Sequence, residues 1–281
     1  MNTIHYLSQY ALQELKDSYP KHEIQSICNI IYMDVLHFTN IDIHLRKNEI
    51  LAESFINNFI EIVNLLKNGH PIQYIIGETE FAGLKFNLNR STLIPRPETQ
   101  ELIIWAKDFI HAKQKILDIG TGSGCIAITL AHLCQNANIV GLDFSEKAID
   151  TAIKNAKRNQ VEVNWLTRDV LNYNNFSWEN YDLIISNPPY IKECEKSSME
   201  SKVLDFEPST ALFVPNHDPL IFYRTICELG QKHLKNEGYL FFEINEALGI
   251  ETCQLIEQYG YRNIELRKDF FGKDRMIKAQ K

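Results

Sequence analysis

The feature that most constrains the fold is the segment Asp-Ile-Gly-Thr-Gly-Ser-Gly at residues 118–124, which holds three glycines in five positions. It follows a β-rich apolar run at Ile116–Ile119 and precedes a helical stretch at Cys125–Cys134. Glycine has no β-carbon, so a ligand can approach the backbone closely at such a turn. A helix that begins there directs its free N–H groups at that ligand. The segment therefore predicts a ligand-binding turn between a strand and a helix.

Strand-like and helical stretches continue to alternate along the rest of the chain. The seven strand candidates are Ile116–Ile119, Ile139–Leu142, Val161–Leu166, Tyr181–Ser186, Tyr239–Phe242, Tyr261–Leu266 and Arg275–Lys278. The helix candidates are Cys125–Cys134, Glu146–Asn159, Ile221–Leu234 and a stretch near Leu248–Tyr259. Such alternation indicates βαβ units. We therefore expect an α/β fold with a doubly wound, mostly parallel, Rossmann-like sheet.

The N-terminal part of the chain carries a different pattern, because its apolar residues recur at helical spacing and no strand signal is present. The three apolar stripes run from Leu7 to Leu15, from Ile24 to Val35 and from Leu51 to Leu66. They predict a helical bundle over residues 1–72. Two short runs around turn residues then predict a β-hairpin linker over residues 73–92, followed by the Rossmann-like domain over residues 93–281.

Composition excludes several classes of protein. Lys plus Arg is 29 and Asp plus Glu is 36 in 281 residues, so the formal charge is −7 and nucleic-acid binding would work against the overall field. No apolar run is long enough for a membrane span, and the N-terminus shows no secretory signal. The six cysteines include no C-x-x-C pair, so we expect free thiols, no metal site and a cytoplasmic location. We also expect a monomer.

The glycine spacing distinguishes between two kinds of cofactor. A dinucleotide loop has the pattern G-x-G-x-x-G, which would need a glycine where this chain has Cys125. The observed G-x-G-x-G is typical of loops that hold the methionine end of S-adenosylmethionine. Asp143 ends the second strand, where its carboxylate can accept both ribose hydroxyls, and Asp169 or the backbone of Val170 can meet the adenine. The predicted cofactor residues are Gly120, Thr121, Gly122, Ser123, Gly124, Asp143, Asp169 and Val170.

The segment Asn187-Pro188-Pro189-Tyr190 follows the buried strand at 181–186 and predicts the reactive centre. Consecutive prolines make the loop rigid and leave carbonyls free to accept hydrogen bonds. The Asn187 side-chain oxygen and the Pro188 carbonyl can accept the two N–H bonds of a planar amide, while Tyr190 offers an aromatic face. We therefore predict Asn187, Pro188 and Tyr190 as catalytic residues for methylation of an –NH2 group, with Pro189 completing the substrate site.

Motifs across nearly the whole chain resemble the N5-glutamine methyltransferases of class I peptide-chain release factors, the PrmC or HemK family. The segments that carry the resemblance are residues 69–77, 81–86, 93–99, the glycine loop, 187–191, 207–208 and 272–275. The most specific of them is Ile-Pro-Arg-Pro-Glu-Thr at 94–99, because adenine-amine DNA methyltransferases share Asn-Pro-Pro-Tyr. Two positions depart from the family: Gln100 replaces a second acid, and Val170 stands where some members carry an aromatic residue.

The resemblance implies a class I S-adenosylmethionine-dependent methyltransferase with a seven-stranded sheet, and S-adenosyl-L-homocysteine as its product. It implies that the substrate is the glutamine of the Gly-Gly-Gln motif in a class I release factor. It further implies that residues 120–124, Asp143 and Asn187 contact the cofactor, that residues 187–190 hold the glutamine, and that the N-terminal helices dock the protein substrate.

Three other interpretations remain open from the residues alone. A DNA adenine methyltransferase would share the loop chemistry, although this chain is acidic and shows no obvious basic, base-reading domain. A non-catalytic module could hold the cofactor as a structural ligand, but it would not need both Asn187 and Tyr190. A dehydrogenase is disfavoured by Cys125.

Overall fold

The computed structural model describes residues 3–281 and divides into two compact units, with the division between Gly77 and Glu78. The first two residues of the predicted bundle lie outside the described residues. No helix within residues 3–281 combines the length and the apolar character needed to cross a membrane.

The N-terminal unit consists of short and medium helices around one apolar core. Its helices are α1 (Ile4–Leu15), α2 (Lys21–Leu36), α3 (Asn40–Leu45), α4 (Glu53–Lys67) and α5 (Ile72–Ile76). The three predicted stripes are buried in this core, where the ring of Tyr32 stacks on Phe59 with centroids 5.5 Å apart. The prediction of helices from apolar spacing is therefore confirmed.

Two short helices were not expected. Helix α3 begins at a capping box in which Asp42 N donates to Thr39 Oγ1 and Thr39 N donates to Asp42 Oδ2. Helix α5 corrects the prediction that the hairpin starts at residue 73, because residues 72–76 are helical and end at Gly77, whose φ is +81°. The apolar run Ile-Gln-Tyr-Ile-Ile is too short for periodicity to distinguish a helix from a strand.

The C-terminal unit begins with the hairpin and continues as an α/β sheet. Its first elements are β1 (Glu78–Phe81), β2 (Leu84–Asn87), α6 (Pro97–Lys107), β3 (Lys115–Ile119), α7 (Cys125–Leu133), β4 (Asn138–Asp143), α8 (Glu146–Arg158), β5 (Asn164–Thr167) and β6 (Tyr181–Ser186). The remaining ones are β7 (Ile191–Lys192), α9 (Ser201–Phe206), β8 (Phe213–Val214), α10 (Ile221–His233), β9 (Leu234–Glu243), α11 (Gly249–Gln258), β10 (Arg262–Lys268) and β11 (Asp274–Gln280).

Seven strands of residues 78–281 form one sheet in the order β10-β11-β9-β6-β3-β4-β5. Only β11 runs antiparallel to its neighbours, so the sheet is mostly parallel as predicted. All seven predicted strands are present: Tyr181–Ser186 has the predicted bounds, and the other six are shifted at one or both ends. The chain leaves β3 toward β4 on one side and returns to β6 on the other, so a topological switch point lies between β3 and β6.

Candidate active site

A cavity of about 280 Å³ opens at this switch point, beside the carboxyl ends of β3, β4 and β6. A crevice at this place is where open α/β sheets bind ligands. Six of the predicted cofactor residues and three residues of the Asn-Pro-Pro-Tyr loop line the cavity: Gly120, Gly122, Asp143, Asp169, Val170 and Asn187, together with Pro188 and Pro189. The structure therefore brings together residues that lie up to 69 positions apart, from Gly120 to Pro189.

The three loop glycines have different surroundings. All have positive φ, +75° at Gly120, +56° at Gly122 and +84° at Gly124, which β-carbon sterics disfavour in other residues. A Cβ added at Gly122 would meet no protein atom within 4 Å. A Cβ added at Gly124 would lie 2.8 Å from Ile128 Cδ1. Gly120 and Gly122 thus leave room on the cavity side, whereas Gly124 permits packing inside the fold.

Thr121 and Ser123 alternate with these glycines and are buried. Both residues form hydrogen bonds that hold the loop against the rest of the fold. The Thr121 hydroxyl donates to Asp118 Oδ2 at 2.6 Å, and the same oxygen accepts from Ala127 N at 3.1 Å. The Ser123 carbonyl accepts from Asn155 Nδ2 at 2.9 Å. Among the described residues, nothing bonds to the other Asp118 oxygen, Oδ1, and burial raises the pKa of Asp118 to about 7.

Asp143 connects the strand end to the glycine loop. Its Oδ2 accepts from Gly122 N and its Oδ1 accepts from Ser145 N, both at 2.9 Å. Burial raises the pKa of Asp143, while these backbone N–H groups act in the opposite direction. Each carboxylate oxygen has a further lone-pair site, so the group can accept hydroxyls in addition.

Asp169 and Val170 line the same cavity shortly after the end of β5. The Asp169 carboxylate caps the turn that follows, accepting from Leu171 N at 2.9 Å and from Asn172 Nδ2 at 2.7 Å. Val170 is buried and presents an aliphatic wall. Some members of the family that the chain resembles carry an aromatic residue at this position. Here a branched aliphatic side chain bounds the cavity instead.

A smaller cavity of about 150 Å³ also borders the Asn-Pro-Pro-Tyr loop. Asn187 and Pro188 line both cavities, whereas Tyr190 lines only the smaller one and Pro189 only the larger. Among the described residues, none donates a hydrogen bond to the Pro188 carbonyl. Asn187 and Pro188 are thus positioned to contact a ligand in either cavity.

A buried hydrogen-bond network holds this loop. Asn187 Nδ2 donates to Thr99 Oγ1 at 3.1 Å, and Thr99 Oγ1 donates to Glu243 Oε2 at 2.6 Å. The Tyr190 hydroxyl donates to the other oxygen, Glu243 Oε1, at 3.0 Å. Burial raises the pKa of Glu243, and its two hydroxyl donors and the charge of Arg275 lower it. The loop backbone is held as well, because Asn245 Nδ2 donates to the Tyr190 carbonyl at 3.1 Å.

A second contact that holds the site is an ion pair between residues 94–96 and residues 207–208, two segments to which the sequence assigned no site role. Arg96 forms an ion pair with Glu207 at 2.5 Å, and the Glu207 side chain is only 2% exposed. Glu207 also accepts weakly from Ile94 N at 3.4 Å. Leu93, which precedes Ile94, and Pro208, which follows Glu207, line the larger cavity. The pair therefore fixes one wall of the site.

Sequence reasoning missed Thr99, Glu243, Arg96 and Glu207 as site residues. One signal was available for Glu243, since a carboxylate directly after the apolar run Leu240–Phe242 must find partners when the strand is buried. No group of three or more His, Cys, Asp or Glu side chains suited to a metal occurs in the part of the chain that the structure describes.

Comparisons with known proteins agree with this architecture. Residues 102–204 match the family described as "Methyltransferase small domain", and residues 7–77 match the "PrmC N-terminal domain". Among solved structures, a methyltransferase from Pyrococcus furiosus is 16% identical with a TM-score of 0.52, covering 82% of this chain and 98% of that one. The 16S rRNA N2 G1207 methyltransferase of T. thermophilus, in complex with AdoMet and guanosine, is also 16% identical with a TM-score of 0.52, and covers 73% of this chain and 49% of that one. These two likenesses concern the fold.

Closer relatives match over nearly the full length. The release factor glutamine methyltransferase of Flavobacterium psychrophilum is 43% identical, covering 98% of this chain and 97% of the relative. That of Bacteroides thetaiotaomicron is 42% identical, covering 98% and 99%. With matches of this identity and coverage, the chain belongs to the release factor glutamine methyltransferase family.

Proposed function

We propose that this protein transfers a methyl group from S-adenosylmethionine to the side-chain amide nitrogen of the Gly-Gly-Gln glutamine in class I release factors. The observation that carries the proposal is that Asn187 and Pro188 line two adjacent cavities at the switch point of the sheet. A transfer between a bound donor and a bound acceptor needs such a shared wall.

The larger cavity has the chemistry that the cofactor requires. Gly122 leaves open space above the loop, and α7 begins directly after Gly124 with its N–H groups at the loop. The Asp143 carboxylate has acceptor capacity for ribose hydroxyls, and Val170 supplies an apolar contact for the base. We propose that residues 120–124, Asp143, Asp169, Val170 and Asn187 hold the cofactor.

The smaller cavity is proposed to take the glutamine. Its amide N–H bonds are accepted by Asn187 Oδ1 and by the Pro188 carbonyl, while Tyr190 packs against the amide plane. S-adenosylmethionine, when bound, supplies an electrophilic methyl group whose bond to sulfur breaks with its electron pair left on sulfur. The acceptors hold the glutamine nitrogen in place for the new N–C bond, and one of its protons is lost to water.

The N-terminal unit is proposed to dock the release factor. Its described surface carries large exposed apolar side chains on and after α3, among them Ile41, Leu45 and Ile50, which are 70–80% exposed. Such side chains are candidates for contact with a protein partner. We propose further that the protein works as a monomer in the cytoplasm and does not bind nucleic acid directly, in keeping with its net charge of −7.

A competition experiment tests the substrate. The protein is incubated with S-adenosylmethionine carrying a labelled methyl group, a purified class I release factor and duplex DNA in one mixture. We expect label on the release factor only, and none on a release factor whose Gly-Gly-Gln glutamine is replaced by glutamate. Label on the DNA would support the adenine methyltransferase instead. Cofactor binding without any labelled product would support the non-catalytic module.

A further inference from the structure

We propose that Thr99 and Glu243 are positioning residues that determine which end of the Asn187 carboxamide is offered to the substrate. The inference rests on the proposed function, because it concerns how Asn187 meets the substrate amide. It involves two elements remote from the loop in sequence, the first turn of α6 and the last residue of β9.

Glu243 is the fixed end of the network. It is 1% exposed, and the pairing of Ser186 with Phe242 between β6 and β9 places it beside Asn187. Its two carboxylate oxygens accept from two different hydroxyls, those of Thr99 and Tyr190. An ionised carboxylate can only accept hydrogen bonds. In the proposed network Glu243 is ionised beside Arg275, and both hydroxyls direct their protons at it.

The direction of the next bond follows from counting protons. A threonine hydroxyl has one proton, and that of Thr99 is used in the 2.6 Å bond to Glu243. Thr99 Oγ1 can then only accept from Asn187, so the contact at 3.1 Å requires the Nδ2 end of the carboxamide. The opposite orientation would bring two acceptor oxygens together with no proton between them. Asn187 Oδ1 is thereby left for a ligand.

This orientation decides what the site recognises. With Oδ1 available, Asn187 accepts an N–H bond and complements the Pro188 carbonyl, so an –NH2 group is held by two acceptors. A reversed carboxamide would present an NH2 donor to the substrate NH2 and repel it. Thr99 and Glu243 thus act on substrate geometry through Asn187, without touching the substrate themselves.

Substitution of Thr99 tests the proposal. Thr99→Val keeps the shape and removes the hydroxyl, whereas Thr99→Ser keeps the hydroxyl. The matched control is Thr129→Val in α7, because Thr129 is also buried and its Oγ1 has no partner among the described residues. We expect Thr99→Val to lower kcat by about 10- to 100-fold while the release-factor KM and the S-adenosylhomocysteine Kd stay within about twofold. Thr99→Ser and Thr129→Val should retain kcat within about threefold. Normal turnover in Thr99→Val, or equal losses in Thr99→Ser, would overturn the positioning role.

A second measurement does not depend on turnover. The side-chain NH2 signals of Asn187 in a ¹⁵N spectrum, assigned with Asn187→Asp, should exchange slowly with solvent in the wild type and in Thr99→Ser, and about tenfold faster or more in Thr99→Val. If the wild type does not methylate a release factor but this difference is seen, the proposed function fails and the positioning stands. If the wild type is active and the exchange rates are equal, the positioning fails alone.

Discussion

Replacing Gly124 and Gly122 separately by alanine should separate the two tasks of the glycine loop. Both residues have positive φ, so alanine at either position adds backbone strain of about 1–2 kcal/mol. At Gly124 the new Cβ would also lie 2.8 Å from Ile128 Cδ1, 3.1 Å from Ala152 Cβ and 3.2 Å from a Trp165 ring carbon. At Gly122 it would meet no protein atom within 4 Å.

These contacts set the expected magnitudes. Forcing an extra carbon into a packed region costs about 1–3 kcal/mol, so Gly124→Ala should lower the free energy of unfolding by about 2–5 kcal/mol in total. Gly122→Ala should lower it by only about 1–2 kcal/mol. The new methyl at Gly122 enters the larger cavity, however, and should weaken cofactor binding by about tenfold or more, which corresponds to about 1.4 kcal/mol.

Urea unfolding followed by tryptophan fluorescence measures the first quantity, because the three tryptophans all lie in residues 78–281. Calorimetric titration of the folded variants with S-adenosylhomocysteine measures the second. If the two variants lose the same stability within about 0.5 kcal/mol, the packing argument for Gly124 is wrong. If Gly122→Ala binds the cofactor product normally, the loop does not approach the ligand as proposed.

Four further substitutions test the rest of the site and the proposed docking surface. Asp143→Ala should weaken cofactor binding by about 1–3 kcal/mol, since charged hydrogen bonds are lost, and unchanged affinity in calorimetry would remove this residue from the site. Asn187→Ala should abolish methyl transfer to a release factor while most of the cofactor affinity is kept, because Asn187 is one of several proposed cofactor contacts; equal losses of both would contradict this division of roles. Because burial raises the folded-state pKa of Asp118 to about 7, its stabilising contribution is complete below about pH 4 and is lost as the pH rises through 7. The free energy of unfolding should fall by about 1–3 kcal/mol between pH 5 and 8 on this account, and urea titrations of Asp118→Asn should lack that fall. Leu45→Glu should raise the release-factor KM about tenfold in steady-state assays without changing cofactor affinity; an unchanged KM would argue against docking at α3.

Local patterns predicted the sheet and its ligand loop because the relevant information is contiguous. The strands are short apolar runs, the loop is a glycine cluster between a strand and a helix, and the Asn-Pro-Pro-Tyr loop follows a buried strand directly. The carboxyl ends of parallel strands meet at one edge, so the sequence also predicted that Gly120 and Asn187 would lie near one cavity.

The supports of the site could not be predicted in the same way. Thr99 and Asn187 are 88 residues apart, and Thr99 and Glu243 are 144 apart. Nothing in the spacing of the chain indicates that a threonine in the first turn of α6 meets the end of β9. The short helices α3 and α5 were missed for a different reason, since five or six residues give too little periodicity to identify a helix.

The Asn-Pro-Pro-Tyr sequence therefore specifies a rigid loop, but it does not specify which end of the Asn187 carboxamide faces the cavity. A carboxamide has a donor end and an acceptor end of nearly equal shape, and either can face the same cavity. In the proposed network Glu243 removes this ambiguity because, when ionised, it accepts the Thr99 proton, and Thr99 then accepts a hydrogen bond from the Asn187 amide. Under this proposal, selection for an –NH2 substrate over a carboxylate depends on the charge of Glu243, which contacts the loop through Thr99 and Tyr190. The same Asn-Pro-Pro-Tyr loop with a different partner behind it could offer the opposite polarity.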